Sequence, residues 1–265
     1  MPLLPRLRVS KLNNIMKKPL VFGISLFLII SIILVIATLS FGTQITTMVF
    51  CKITLAKHPV VYKVPEKIVL ENYTFTNTTK FSCFGYDFEF PWSDVAKESV
   101  SQKFARIQFK SGIWVAVLSP EFAANFVEEY RKKDSKMEKV YSFILDEKTF
   151  QSEYDFHKAI LNTTPHDLSL FKSPGKDIGI AILLTFKSLL AHLGDSGIYE
   201  FDNGNFCAFQ FGNPLMSRAV MISVFSGKDT RLDLLIVDKK NKNKMNVSQK
   251  EINFIISSIK FSKIY

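Results

Sequence analysis

The sequence predicts an α+β fold, an antiparallel sheet covered by helices, preceded by one N-terminal transmembrane helix. Three observations predict it. Residues 19–41, PLVFGISLFLIISIILVIATLSF, form a run of 23 residues without a charge. The last third alternates strand-length apolar runs with turn formers, and the chain then closes on an amphipathic segment opened by a capping box.

A helix rising about 1.5 Å per residue needs about 20 apolar residues to cross a bilayer core, so residues 19–41 are long enough. Arg6, Arg8, Lys11, Lys17 and Lys18 precede the run with no acid, whereas the next twenty residues carry only Lys52 and Lys57. The positive-inside rule places residues 1–18 in the cytoplasm as a basic tail and the rest of the chain outside it. The apolar core is longer than a secretory h-region and runs into LSFGT, a poor cleavage site, so an uncleaved anchor is expected. Localisation is then the inner, cytoplasmic membrane, single-pass, with a periplasmic or otherwise extracytoplasmic C-terminal domain.

From residue 42 to residue 66 the chain has no sustained period and contains Pro59 and Pro65, which reads as a juxtamembrane linker. Residues 67–265 are enough for one globular domain with a substantial core. In FGYDFEFPW, residues 84–92, an aromatic at every even position faces away from Asp87 and Glu89. That alternation is the buried side of a strand, with Pro91 at its exit. KFARIQF and IWVAVL flank Ser111-Gly112 as a hairpin. Ser119-Pro120-Glu121 opens a helix carrying Phe122, Phe126 and Tyr130, and Ser152 with Asp155 caps a second helix running to Leu161.

A third helix starts at Ser173-Pro174 and runs to a stop at Gly194; its isoleucines and leucines lie on nearly all faces, which predicts deep burial. Its longest uncharged run, Ile178 to Phe186, is too short to span a membrane. Then IYEF, FCAFQF, AVMISVF and RLDLLIV, separated by turns at Asp202-Asn203-Gly204, Gly212-Asn213-Pro214 and Gly227-Lys228-Asp229, predict an antiparallel meander with AVMISVF inside the sheet. Ser248 and Glu251 open the closing helix, and Ile252, Ile255, Ile256 and Ile259 give it the face that packs on the sheet.

The net charge of +10 is divided unevenly: five charges belong to the cytoplasmic tail and six to residues 239–263, leaving the rest of the outer domain near neutral. DKKNKNK has no interleaved aromatics on which bases stack, and an extracytoplasmic domain rarely meets nucleic acid, so no nucleic-acid partner is expected. Cys51, Cys83 and Cys207 form no Cys-x-x-Cys pair. Cys83 with Cys207 is the one pairing inside the globular part, and buried unpaired thiols are the other reading.

No catalytic motif emerges. His58, His157, His166 and His192 lack zinc-ligand spacing, no Gly-x-Ser-x-Gly elbow occurs, and no glycine-rich phosphate loop is present. No catalytic residue, metal site or cofactor is expected. Asn72, Asn77, Asn162 and Asn246 head sequons that matter only where exported proteins are glycosylated.

FCAFQF, AVMISVF, RLDLLIV and SQKEINFIISSIKF resemble PsbP-like domains over about the final third of the chain. That resemblance implies an antiparallel sheet covered by helices and a non-catalytic role in binding or assembling other proteins, and it carries over no functional residue.

The expected function is therefore a membrane-anchored extracytoplasmic domain acting as a non-enzymatic binding or accessory module of the cell envelope. It is held in the membrane by residues 19–41 and has a protein partner. Trp92, the row's aromatic just past Pro91, and the basic Lys239, Lys240, Lys242 and Lys244 are the expected partner contacts. The alternatives are an envelope enzyme with a dispersed site, such as His166, Asp167 and Glu89, or a small-molecule or lipid carrier with a phenylalanine-lined pocket.

Overall fold

The computed structural model describes residues 42, 44–53, 55–71, 73–121, 152–168, 174–226, 230–241 and 243–261. The expected membrane span 19–41, the helix expected after Glu121, and Lys242 lie outside them. Among the described residues no helix is long and apolar enough to cross a membrane.

The chain is mixed α+β. After helix α1 (residues 44–53) come β1 (Glu66–Ile68), β2 (Thr79–Cys83), β3 (Tyr86–Phe90), β4 (Val95–Val100), β5 (Phe104–Phe109) and β6 (Ile113–Leu118). Then follow α2 (Glu153–Asn162), α3 (Pro174–Leu190), β7 (Ile198–Asp202), β8 (Phe206–Phe211), β9 (Ala219–Ser226), β10 (Thr230–Asp238), α4 (Gln249–Ser258) and β11 (Lys260–Phe261). One sheet has eight strands in the order β1-β7-β8-β9-β10-β6-β5-β4; the other has three, β11-β3-β2. Every pairing is antiparallel except β1 with β7.

The meander forms as expected, with β9 interior to the large sheet. One face of that sheet carries Ile107, Val115, Leu234, Ile222 and Ala208, and against it pack Phe88 and Phe90 of the small sheet with Ile252, Ile255 and Ile256 of α4. Ser248 caps α4 by accepting from the Glu251 amide, and the Glu251 carboxylate accepts from the Ser248 amide. Ser152 accepts from the Asp155 amide at the start of α2.

Three expectations change. Phe84 leaves the aromatic row: Cys83 pairs with Tyr86, so Phe84-Gly85 is a two-residue turn, with φ of 54° and 77°. Both residues being left-handed matches the twist of a tight hairpin, at some cost for a phenylalanine. Residues 44–53 are helical rather than irregular, and Cys51, Leu55, Val60 and Val61 are buried in a second core with Leu161, Leu184, Phe209, Phe211 and Phe225. Helix α3 ends at Leu190, four residues before Gly194, and is not deeply buried: Leu189 is 66% exposed. Among the described residues it packs against α2 and the short 3-10 turns.

Candidate functional site

Register decides which side chains share the other face of the large sheet. On β10 these are Arg231, Asp233, Leu235 and Val237; pairing carries the face to Leu118, Ala116 and Trp114 on β6 and to Phe104, Arg106 and Gln108 on β5. In the opposite direction it runs through Phe225 and Ser223 on β9, Phe209 and Phe211 on β8, and Glu200 on β7. The helices pack on the β7–β9 half, where Phe209, Phe211 and Phe225 join the second core. The β5–β6 half carries half-buried Trp114, Ala116 and Leu118 beside exposed Arg106 and Phe104, the latter 42% exposed.

Cations surround the Trp114 ring. The Arg106 guanidinium lies 5.0 Å from its centroid and 5.7 Å from that of Phe104, and the Lys239 Nζ lies 3.0 Å from the Trp114 centroid. Such contacts hold cationic side chains over aromatic faces. A planar aromatic bordered by fixed cations is suited to contacting an anionic, partly apolar surface.

The basic loop after β10 is organised rather than loosely solvated. Buried Asp238 accepts through Oδ1 from the Lys240 and Asn241 amides, and through Oδ2 from Asn241 Nδ2 at 2.6 Å and the Asn246 amide at 2.8 Å. Burial alone pushes its carboxyl up, but these four hydrogen bonds outweigh burial and hold it below the usual range. Lys240 lies across the β5–β6 turn and donates from Nζ to the Lys110 carbonyl at 2.7 Å. Gly112 makes room for it: its φ is +103°, and an added Cβ would stand 2.6 Å from the Lys240 Cγ. Lys244 is exposed.

Trp92 is not a free surface aromatic. Its ring stacks on Phe90 and meets Phe109 edge-on, and its indole Nε1 donates to Glu251 Oε1 at 2.8 Å. It ties the small sheet to the start of α4. Trp114, which was not among the expected contacts, is the tryptophan on the β5–β6 half-face and is half-buried. The hairpin about Ser111-Gly112 already carried the signal, since Trp114 alternates against Ile113 and Val115.

His166, Asp167 and Glu89 are not assembled into a site. His166 meets Tyr62 edge-on, and Asp167 accepts from the Thr164 amide within its own turn. Glu89 accepts from Thr78 on the small sheet, across the large sheet from that turn.

Two ionic clusters lie beneath α2. In one, His157 donates from Nδ1 to the Glu153 carbonyl at 2.9 Å and accepts at Nε2 from Arg231 at 2.9 Å. Arg231 also donates twice to Asp233 Oδ2, while Ser223 donates to Oδ1. Burial first, then the Arg231 charge, pushes the His157 pKa down to about 3, although its bond to the Glu153 carbonyl opposes them. In the other, Tyr154 and Lys158 both donate to Glu200 Oε1, at 2.6 and 2.7 Å. The His157 cluster is buried and the Glu200 cluster is part-buried, with the Lys158 side chain 40% exposed, and both tie α2 to the sheet.

A cleft of about 860 Å³ opens where the end of the β9–β10 hairpin faces the β2–β3 turn, lined by Phe84, Tyr86, Phe261, Ser119, Ser226 and Thr230 among others. The three cysteines are free, and burial pushes the Cys83 thiol up to about 12. No group of three or more His, Cys, Asp or Glu residues is placed to hold a metal among the described residues. The chain matches no family model, no curated protein and no solved structure.

Proposed function

We propose that this chain is a membrane-tethered, non-enzymatic binding or accessory module of the cell envelope. Residues 19–41 cross the inner membrane with the N-terminus in the cytoplasm, and the domain engages a protein partner outside it. The observation that carries the binding role is the β5–β6 half-face, where Arg106 and Lys239 frame Trp114 beside exposed Phe104. Aromatic and arginine side chains are the types enriched where protein contacts concentrate their energy. The clusters at His157 and Glu200 support the same reading, since both tie α2 to the sheet. The resemblance of the final third to PsbP-like domains points the same way.

The contact set moves accordingly, from Trp92 to Trp114, with Lys239 retained and Lys240 and Lys244 at its border. The test is a photocrosslinking amino acid in place of Phe104 in the full-length chain in its native membrane. A discrete adduct that disappears with Trp114→Ala or with Arg106→Glu, in a protein that still folds, supports the proposal. An adduct pattern indifferent to both substitutions overturns it.

A second reading, a carrier of a small apolar ligand, is favoured by the cleft at Tyr86 and Phe261. Its mark is a delipidated protein that takes up an apolar fluorophore, with uptake lost on Tyr86→Trp.

A further inference from the structure

Helix α1 is apolar on two sides. One side joins the second core, with Cys51 buried and Met48 packed beside it near Ile180 and Leu184. On the other, Ile45, Val49 and Ile53 recur every four residues and, with Phe50, form a solvent-facing stripe in which Ile53 is 65% exposed. Scattered exposed apolar residues are ordinary, but a continuous stripe calls for an occupant. The exposure is also concentrated: of 13 large apolar side chains exposed among the described residues, six lie between Ile45 and Val64.

Two observations indicate what covers the stripe. The expected span 19–41 ends at Phe41, so Ile45 lies within about 14 Å of it even along a fully extended chain. A stripe so close to the end of a bilayer-length segment is confined to the lipid boundary. In addition, residues 42–65 contain no acid but include Lys52, Lys57 and Lys63, and all three are basic neighbours suited to anionic headgroups.

We infer that α1 lies in the membrane interface, with Ile45, Val49, Phe50 and Ile53 turned into the acyl boundary of an anionic bilayer. The domain then sits directly on the membrane instead of standing off on a stalk. Because the opposite side of α1 joins the second core, which also takes in Ile180 and Leu184 of α3, the helical layer becomes the membrane-facing side of the domain. The inference rests on reading residues 19–41 as the anchor.

The experiment uses the full-length chain reconstituted into phosphatidylcholine–phosphatidylglycerol vesicles with and without brominated acyl chains. Val49→Trp and Ile53→Trp each add an emitter at an exposed position, and Val69→Trp, at a side chain 84% exposed in the loop after β1, is the control. Bromolipid should quench most of the emission added at positions 49 and 53, and little of that added at 69. Extraction at alkaline pH tests the anchor separately. Unquenched emission at 49 and 53 in a chain that resists extraction overturns the interfacial helix while leaving the anchor. Equal quenching at all three positions overturns the oriented docking. Release of the chain by alkali overturns the anchor reading and the docking with it.

Discussion

The Nζ of Lys239 sits 3.0 Å from the centroid of the Trp114 ring, so the first residue after β10 is fixed onto the central strand of the β10-β6-β5 face. A contact of this kind contributes about 0.5–2 kcal/mol, depending on how far it is desolvated. A double-mutant cycle with Lys239→Ala and Trp114→Leu should therefore give a favourable coupling in that range. A coupling of zero would show that the ammonium rests over the ring without attraction.

His157 predicts a definite acid response. Its pKa is about 3 in the folded protein against an ordinary value of 6.5, so between those values the unfolded chain binds the additional proton. This contribution is complete above pH 6.5 and is lost as pH falls toward 3, at up to about 1.4 kcal/mol per pH unit. Urea unfolding of wild type and His157→Gln should diverge in slope across that window. Parallel curves would mean that the imidazole is not held neutral.

Lys187 predicts the opposite end of the scale. It is fully buried, and its Nζ donates to the Thr163 carbonyl at 2.7 Å and more weakly to the Val61 carbonyl at 3.3 Å. Burial lowers its pKa to about 8, with the Asp167 charge opposing. The unfolded chain keeps the proton up to about pH 10.4, so stability rises with pH between about 8 and 10.4 as the buried cost of the charge is relieved. Relative to Lys187→Met, wild type should gain stability across that interval.

These two residues also show where legibility in the sequence ends. Local signals were readable: Ser152 and Ser248 cap their helices, Ile252, Ile255 and Ile256 face the sheet, and the meander turns at 202–204 and 212–214 are marked by glycine, asparagine and proline, while the expected turn at 227–229 lies outside the described residues. Long-range choices were not. The parallel pairing of Glu66 with Tyr199, the division into two sheets, and the docking of Cys51 and Leu55 into the second core depend on contacts between distant segments. Lys187 points inward because two backbone carbonyls await it there, which no periodicity reveals. Alternation placed Trp114 on one face of its strand, but not what packs on that face; among the described residues, α2 and α3 pack toward β7–β10.

Asp238 is predicted to hold the basic loop in shape. Asp238→Ala removes the acceptor for three backbone amides of exposed residues, at a cost of about 1 kcal/mol for each hydrogen bond lost. Amide exchange at Lys240, Asn241 and Asn246 should accelerate together, while exchange in β9 stays slow. Because the folded carboxyl is held below its ordinary value of 3.8, the same loosening should appear in wild type as pH falls through that lower range.

The last prediction separates the two tryptophans. Trp92 stacks on Phe90, meets Phe109 edge-on and donates to Glu251, the residue that also caps α4 through Ser248. Trp92→Phe keeps an aromatic ring but removes the indole donor, which should cost about 1 kcal/mol. Trp92→Ala also opens space against the core and should cost about 3–5 kcal/mol, in the range of large-to-small aromatic substitutions. Trp114, half-buried on the β5–β6 half of the sheet, should cost less when truncated and should carry the larger loss of partner contact. Thermal unfolding and crosslinking from position 104, measured on both alanine variants, read the two effects separately. If Trp92→Ala abolished crosslinking without lowering the unfolding temperature, and Trp114→Ala left crosslinking intact, the contact surface would lie at the β3 exit instead.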